Sequence, residues 1–171
     1  MAAADLALVE PLGNAIHQAH PERPEIFAER LALCPEGCHA LGNLDGYIIS
    51  HPWRLGSPPP LDTLLGTLPA QPDTWYIHDL ALHERARGTG AAQAIVARLA
   101  ALARALVLPT MSLIAVGRSP PFWARQGFTP SALPPAKLAS YGPSAAYMVR
   151  PLWPSRKRRF PRASPTGTLR P

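Results

Sequence analysis

The segment from Arg85 to Gly90 reads Arg-Ala-Arg-Gly-Thr-Gly and lies between an apolar run and an alanine-rich stretch. A chain that turns from a strand through glycines into a helix leaves several backbone N–H groups unpaired at the helix N-terminus. Such a terminus carries roughly half a positive charge and binds anions readily. Because two arginines flank these glycines, this segment (the glycine loop, residues 85–90) predicts a phosphate or pyrophosphate site.

Two classes of phosphate site do not fit the glycine loop. A nucleoside-triphosphate P-loop needs Gly-x4-Gly-Lys-Ser/Thr, but the only lysines, Lys137 and Lys157, follow no glycine loop. A dinucleotide-binding fold needs a third glycine, whereas Gly90 is followed by Ala91-Ala92-Gln93. It also needs an acid about 20 residues downstream for the ribose, and no acid follows Glu84. The third class, a coenzyme A pyrophosphate loop, remains.

The elements around the glycine loop form a strand–loop–helix–strand unit. Residues 75–82 predict a strand, and apolar residues at i, i+4, i+7 and i+11 from Ile95 predict a helix that stops at Pro109. Residues 111–116 predict a short buried strand. A crossover of this kind favours a parallel pair of strands.

The rest of the chain predicts further helices and strands on both sides of this unit. The predicted helices are residues 5–20, which Pro11 interrupts, residues 24–31, and a short helix opened by Pro120-Pro121 and closed by Gly127. The predicted strands are residues 38–41 and 46–50, joined by a turn at 43–46, and residues 145–149. Residues 52–72 are proline-rich and predict a long loop, of the kind that is often functional.

Two blocks of this sequence resemble the GCN5-related N-acetyltransferase (GNAT) family. In residues 80–90, LALHERARGTG, Arg85, Gly88 and Gly90 fill the family's acetyl-CoA pattern Arg/Gln-x-x-Gly-x-Gly/Ala after an apolar triplet. Residues 122–128, FWARQGF, resemble the family's short helix followed by Gly-Phe. The two blocks occur in the family's order with suitable spacing, and the resemblance covers roughly residues 5–150.

The resemblance implies an α/β (α+β) fold. Its central sheet is mixed and mostly antiparallel, helices cover both faces, and the parallel strands before and after the glycine loop splay apart. Only four residues precede the first predicted helix, so the family's first strand is expected to be truncated or lost. We expect an acetyltransferase domain at residues 1–153 and a basic, proline- and arginine-rich disordered tail at 154–171.

The resemblance also implies acetyl-CoA as the acetyl donor, with no metal. Backbone amides of residues 86–91 would bind the pyrophosphate, Arg85 and Arg87 would add positive charge, and the pantetheine arm would pair with the apolar triplet. The implied contacts with acetyl-CoA are Leu80, Ala81, Leu82, Arg85, Ala86, Arg87, Gly88, Thr89, Gly90, Ala91, Phe122 and Trp123.

The transfer of acetyl to an amine needs a neutral amine, because an alkyl amine with a pKa of about 10 is only about one part in 10³ neutral at pH 7. Strand alternation places Tyr76, His78 and Leu80 on one face, and His78 is the favoured general base. Asp79 is its rival, because a β-bulge would turn that carboxylate toward the cleft. The backbone N–H of Leu82 is the candidate oxyanion donor.

The sequence departs from the family at the general acid. Many relatives carry a tyrosine where Trp123 stands here, and tryptophan has no proton to give to a thiolate. Either no general acid is used, or Ser119, Tyr141 or Tyr147 substitutes for it. The histidines His17 and His20 are interpreted as solvated or loop residues.

Charge is distributed unevenly along the chain. All eleven acidic residues lie within residues 1–84, and fourteen of the seventeen basic residues lie within 85–171. The acidic half favours a cationic acceptor, such as a polyamine, an aminoglycoside-like amine or a lysine side chain. A non-catalytic CoA-binding module and a nucleic-acid-binding tail are the alternatives, and a homodimer is left open.

The N-terminus shows no signal peptide and no apolar run is long enough to span a membrane, so the expected location is cytoplasmic. Cys34 and Cys38 are interpreted as ordinary thiols near a turn, because structural zinc needs four ligands.

Overall fold

The computed structural model describes residues 1–153, so the predicted tail at 154–171 lies outside the described residues. Four helices and six strands follow one another along the chain: α1 (Leu6–Ile16), α2 (Pro24–Leu33), β1 (His39–Leu41), β2 (Gly46–Trp53), β3 (Thr74–Leu82), α3 (Ala91–Ala105), β4 (Thr110–Ala115), α4 (Pro120–Arg125), β5 (Thr129–Pro130) and β6 (Ala146–Pro151). None of the helices within residues 1–153 is long and apolar enough to cross a membrane.

The strands form one mixed sheet in the order β1-β2-β3-β4-β6-β5. Among these neighbours only β3 and β4 are parallel, and the other pairs are antiparallel. The sheet therefore confirms the predicted mixed, mostly antiparallel architecture. Within the described residues no strand precedes α1, and the sheet begins at the β1–β2 hairpin.

The parallel strands β3 and β4 pair only over their first halves. Residues 74–77 of β3 pair with residues 110–113 of β4, although β3 continues to Leu82. Among the described residues, 79–82 are paired in the sheet with β2 alone. The two central strands thus splay apart as predicted, and they leave an unpaired backbone edge on β3 that faces the gap.

A β-bulge lies in β3 at the point where the splay begins. Asp79 is opposite Ile49 and Ile77 is opposite Ser50, so His78 is the extra residue between two successive pairs. A bulge breaks the strict alternation of side chains and re-aims them locally. Both His78 and Asp79 consequently line the gap, where strict alternation would have admitted only one of them.

Two clusters of buried side chains hold helices on opposite faces of the sheet. Neighbouring residues of β2 alternate between them, since Ile48 packs with α3 residues such as Leu99, whereas Ile49 packs with α1 and α2 residues such as Val9 and Phe27. Cys34 and Cys38 are buried free thiols, and burial raises the pKa of Cys38 to about 11.

Helix α1 differs from its prediction at Pro11 and at its end. The helix continues through Pro11 rather than breaking there, and it ends at Ile16, four residues before the predicted end at 20. Gly13 brings α1 close to β2, because a Cβ at this position would meet the Tyr47 hydroxyl at 2.1 Å. The early end of α1 frees residues 17–23 to reach the gap beside β3.

The long connection between β2 and β3 (the strap, residues 54–73) is fixed to α2 by side chains. The Glu29 carboxylate accepts hydrogen bonds from the N–H groups of Leu65 and Gly66, each at 2.8 Å. The buried guanidinium of Arg30 donates to the carbonyl of Thr63 at 2.8 Å. The strap contains no strand that would pair its backbone groups. Charged side chains of α2 therefore supply hydrogen-bond partners for some of them.

Candidate active site

A cavity of about 760 Å³ lies where β3 and β4 splay apart. Its walls come from β3, from the end of β4, from the chain after α1 and from α4, with contributions from the strap and from Tyr141. The residues that line the cavity include His17, His20, Glu22, Leu61, His78, Asp79, Leu80, Arg87, Arg118, Ser119, Phe122, Trp123 and Tyr141. The fold thus gathers His78, Asp79, Ser119 and Tyr141, all predicted from the sequence, around one cavity.

The first polar feature of the cavity wall is a buried pair formed by His78 and Glu22. His78 Nε2 lies 2.8 Å from Glu22 Oε2, and the two side chains are only 1% and 5% exposed. The other Glu22 oxygen accepts the N–H of Asp62 in the strap at 2.9 Å. His78 Nδ1 is buried and has no hydrogen-bond partner within residues 1–153. A carboxylate that accepts from Nε2–H therefore leaves the Nδ1 lone pair unpaired, as a base requires.

The second polar feature is a pair formed by Asp79 and His17. His17 Nε2 lies 3.0 Å from Asp79 Oδ1, and the Tyr47 hydroxyl donates to the other oxygen of Asp79. Burial disfavours the charged form of Asp79, but His17 and the Tyr47 hydroxyl outweigh burial and hold the pKa of Asp79 below its ordinary value. A carboxylate with a lowered pKa is a weak proton acceptor.

His17 and His20 lie in the loop after α1, which agrees with one half of their interpretation, but both are only partly exposed. Both line the cavity, and His20 Nε2 lies 2.9 Å from the carbonyl of Tyr141. Sequence reasoning also missed Glu22, which reaches His78 across 56 positions of the chain. A glutamate between two prolines gives no local signal of such a contact, because only the fold brings residues 22 and 78 together.

Each of the three candidate general acids forms a hydrogen bond with the backbone. The Ser119 hydroxyl donates to the carbonyl of Val116 at 2.8 Å, and the Tyr141 hydroxyl donates to the carbonyl of Pro59 at 2.7 Å. Burial raises the pKa of Tyr141 above its ordinary value, which makes the phenol a poorer proton donor. The Tyr147 hydroxyl accepts the N–H of Gly56. Ser119 and Tyr141 thus direct their hydroxyl protons at backbone carbonyls, whereas Tyr147 is not among the residues that line the cavity.

The glycine loop presents backbone donors at the N-terminus of α3. Gly88 and Gly90 have φ angles of +76° and +85°, which favour glycine, and Gly90 is the N-cap residue of α3. A Cβ at either position would meet no atom within 4 Å, so the space above the loop is open. The first N–H of α3 to reach a helix carbonyl is that of Ala94, which bonds to Gly90. The N–H of Ala91 donates to the Thr89 hydroxyl at 3.4 Å, so the N–H groups of residues 92 and 93 are the donors that α3 offers to an anion.

The two arginines of the glycine loop lie in different surroundings. Arg87 lines the cavity, with Nε 3.3 Å from the carbonyl of Leu82, whereas Arg85 is paired with the Asp45 carboxylate in the β1–β2 turn. Arg118, which the sequence did not single out, lines the cavity from the turn after β4. Positive charge on the wall thus comes from the turns that follow the two splayed strands.

A smaller cavity of about 200 Å³ adjoins the main one near the first turn of α3. Its walls include Leu80, Leu82, Arg87, Ala92 and Phe122. Ala81, a predicted contact, is instead buried with side chains of α1 and α2. The predicted contacts that line one path through the two cavities are Leu80, Leu82, Arg87, Phe122 and Trp123. This path passes the unpaired edge of β3, where an extended group could add itself as a strand.

The His17–Asp79 pair predicts a pH dependence of stability. Burial lowers the pKa of His17, but Asp79 outweighs this effect, and the pKa in the folded protein is raised above 6.5. Protonated His17 therefore stabilises the fold below pH 6.5, and this contribution is lost as the pH rises through the raised pKa. The Asp79 contribution is present above pH 3.8 and is lost only as the pH falls through its lowered pKa.

We therefore expect the free energy of unfolding to fall by up to about 1 kcal/mol as the pH rises above about 6.5, and His17→Gln to remove most of this fall. Urea unfolding of both proteins across this range measures the effect. The difference between the two curves isolates His17 from the other histidines. Parallel curves for the two proteins would contradict the assignment.

Comparison with known proteins agrees with this geometry. The sequence model of the Acetyltransferase (GNAT) family matches residues 13–128. No curated protein sequence matches the chain. Ard1 from Thermoplasma volcanium is similar in structure, with 17% identity, a TM-score of 0.67, and coverage of 90% of this chain and 95% of that chain.

Two further solved structures show the same fold around different chemistry. The ribosomal-protein-S18-alanine N-acetyltransferase from Escherichia coli is 14% identical, with a TM-score of 0.60 and coverage of 92% and 94% of the two chains. The GNAT-like decarboxylase GphF, in complex with isobutyryl-CoA, is 12% identical, with a TM-score of 0.70 and coverage of 90% and 97%. At such identities the likeness shows the fold alone, and the reaction must be argued from the site.

Proposed function

The chain belongs to the acetyltransferase (GNAT) family, and from this we propose that it transfers an acetyl group from acetyl-CoA to a primary amine by direct attack within a ternary complex. One observation carries the proposal: a single cavity in the splay of β3 and β4 is lined both by Arg87 of the glycine loop and by a buried histidine–carboxylate pair. The loop suits the pyrophosphate of the donor, and the pair suits removal of a proton from the acceptor.

The proposed donor site follows the path from the glycine loop to the bulge. The pyrophosphate would bind the N–H groups at the start of α3, with Arg87 and Arg118 supplying positive charge. The pantetheine arm would pair with the free edge of Leu80–Leu82, opposite Phe122 and Trp123, as an added strand. The thioester would then lie near His78, beyond the last paired residues of β3 and β4.

We propose His78 as the general base, oriented by Glu22. The amine nitrogen attacks the thioester carbonyl as a C–N bond forms, and its proton passes to His78 Nδ1 directly or through a water. Glu22 stabilises the imidazolium that results, since its carboxylate stays within 2.8 Å of Nε2. Asp79 is the weaker candidate because both of its oxygens are occupied and its pKa is lowered.

Collapse of the tetrahedral intermediate breaks the C–S bond and releases CoA as a thiolate. We propose the backbone N–H of Leu82 as the oxyanion donor. A thiol with a pKa of about 8.5 leaves readily as its anion, so a general acid is helpful but not essential. The engagement of Ser119 and Tyr141 with backbone carbonyls supports departure without a protein acid.

The alternative function is that of a CoA-binding module without acetyltransferase activity. Trp123 favours it, because many relatives carry a tyrosine at this position. Calorimetry with acetyl-CoA and an assay of thiol release with a broad set of amines separate the two functions. Binding together with acceptor-dependent release of CoA supports the transferase. Binding without release for any amine supports the module, and absence of binding contradicts both.

A further inference from the structure

We propose that three mutually connected loops close the acceptor end of the cavity, so that the acceptor is a small amine and polypeptides are excluded. The loops are the α1–α2 connection (residues 17–23), the strap (54–73) and the segment before β6 (131–145), here together called the clasp. This inference rests on the proposed acetyl transfer and adds the class of acceptor to it.

The first joint of the clasp ties the α1–α2 connection to the strap. The Asp62 carboxylate accepts the backbone N–H of Arg23 at 2.9 Å and the Nε of Arg23 at 2.8 Å. In return, the N–H of Asp62 donates to Glu22 at 2.9 Å. The residue that orients the proposed base is therefore also a point of attachment for the strap.

The second joint ties the strap to the segment before β6. The Tyr141 hydroxyl donates to the carbonyl of Pro59 at 2.7 Å, and both residues are buried. The N–H of Leu61 donates to the Ser140 hydroxyl at 3.1 Å, and Lys137 Nζ donates to the carbonyl of Gly56 at 2.6 Å. Three residues of the segment before β6 thus contact the strap.

The third joint completes the ring. His20 Nε2 lies 2.9 Å from the carbonyl of Tyr141, which connects the α1–α2 connection directly to the segment before β6. One residue from each loop, namely His20, Leu61 and Tyr141, also lines the cavity. The clasp is therefore the inner wall of the acceptor end as well as a connection between loops.

The clasp is fixed in place rather than poised to open. The contacts of Glu29 and Arg30 with the strap hold it to α2 independently of the three joints. Each of these hydrogen bonds adds to the stability of the closed arrangement, so release of the whole strap would require the loss of several of them together. A polypeptide acceptor needs an open groove in which its backbone can lie extended, and the joined loops occupy that path.

The size and charge of the cavity agree with a small cationic acceptor. About 760 Å³ must hold both the thioester arm and the acceptor, and this volume falls within the range of pockets for single small molecules. Glu22 and Asp79 are the acidic residues of its wall among the described residues. They favour an amine that arrives as a cation and loses its proton inside the cavity.

The test compares acceptor classes in the natural protein and in a variant with a weakened clasp. The double variant His20→Ala/Ser140→Ala removes one side-chain contact from each of two joints, and Ser144→Ala, an exposed serine of the same segment, is the matched control. The acceptors are a polyamine, an aminoglycoside and an amino sugar, set against short peptides with a free N-terminus or a lysine.

We expect kcat/KM for the best small amine to exceed that for the best peptide by about 100-fold or more, and the double variant to reduce this ratio about tenfold. General damage to the fold would lower both rates together and leave the ratio unchanged. Peptide turnover equal to that of the small amines would overturn the clasp alone. Absence of transfer to every acceptor would contradict the proposed function and the clasp with it.

Hydrogen exchange supplies a measurement that does not depend on turnover. The amides of Leu61 and Asp62 have side-chain acceptors in the clasp, and we expect the Leu61 amide to be protected in the natural protein. Protection of Leu61 should fall in the double variant and persist in Ser144→Ala. Exchange of both amides at the unprotected rate in the natural protein would overturn the closed clasp.

Discussion

Replacement of His78 by glutamine is expected to lower kcat about 10²- to 10³-fold while the affinity for CoA changes by less than about twofold. The amide of glutamine can keep a hydrogen bond to Glu22, but it cannot accept the proton of the amine. The side chain is 1% exposed, so a substitution of similar size limits the loss of packing. Steady-state kinetics and CoA titration measure the two quantities, and thermal unfolding checks the fold.

The matched control is His17→Gln, because His17 is the histidine of the other carboxylate–imidazole pair on the same wall. We expect this variant to keep kcat within about tenfold, since the proposed proton path does not use it. A large loss of kcat in His17→Gln together with little loss in His78→Gln would indicate that the pair of Asp79 and His17, rather than His78, acts as the general base.

The parts of this fold that the sequence predicted are those with local causes. The strand, glycine loop and helix from residue 74 to residue 105 follow from apolar periodicity and from glycines that adopt positive φ. The hairpin of β1 and β2 follows from a short turn between two apolar runs. In each case the information lies within a few residues of the feature.

The acceptor side of the site could not be predicted, because its contacts join distant parts of the chain. Glu22 meets His78 only after α1 and β3 have packed together, and Asp62 meets Glu22 only after the strap has crossed α2. The composition of the strap does not indicate which side chains it contacts. A proline-rich loop is predicted equally well as a free segment or as one fixed by charged side chains of a neighbouring helix.

The roles of Arg85 and Asp79 also could not be predicted from the sequence alone. The family pattern treats Arg85 as part of the anion site, yet Asp45 of the preceding hairpin pairs with its guanidinium. Strand alternation would place Asp79 away from His78, yet the bulge brings both to the cavity. Spacing along the chain thus identifies which residues belong to the site, and the bulge and long-range pairs determine what each can do.

Replacement of Gly90 by alanine is expected to raise the dissociation constant for CoA about 10- to 100-fold, with little change in kcat at saturating acetyl-CoA. Gly90 has φ +85° at the N-cap of α3, and a Cβ there would project into space that is open in the free protein. That space is where the pyrophosphate must approach the N–H groups of α3 in the proposed complex. The methyl group would hold the phosphate oxygens away from these donors.

Gly66→Ala is the matched control for this prediction. Gly66 also has a positive φ, +70°, and a Cβ there would meet no atom within 4 Å, but it lies in the strap near Glu29. Both variants should lose about 1 kcal/mol of stability, because alanine adopts this backbone region at that cost. Calorimetry with CoA then separates the loss of stability that comes from the backbone conformation from the effect of the methyl group on CoA binding. Equal affinity for CoA in the two variants would place the pyrophosphate elsewhere, because only the methyl group at residue 90 lies where the proposed complex requires space.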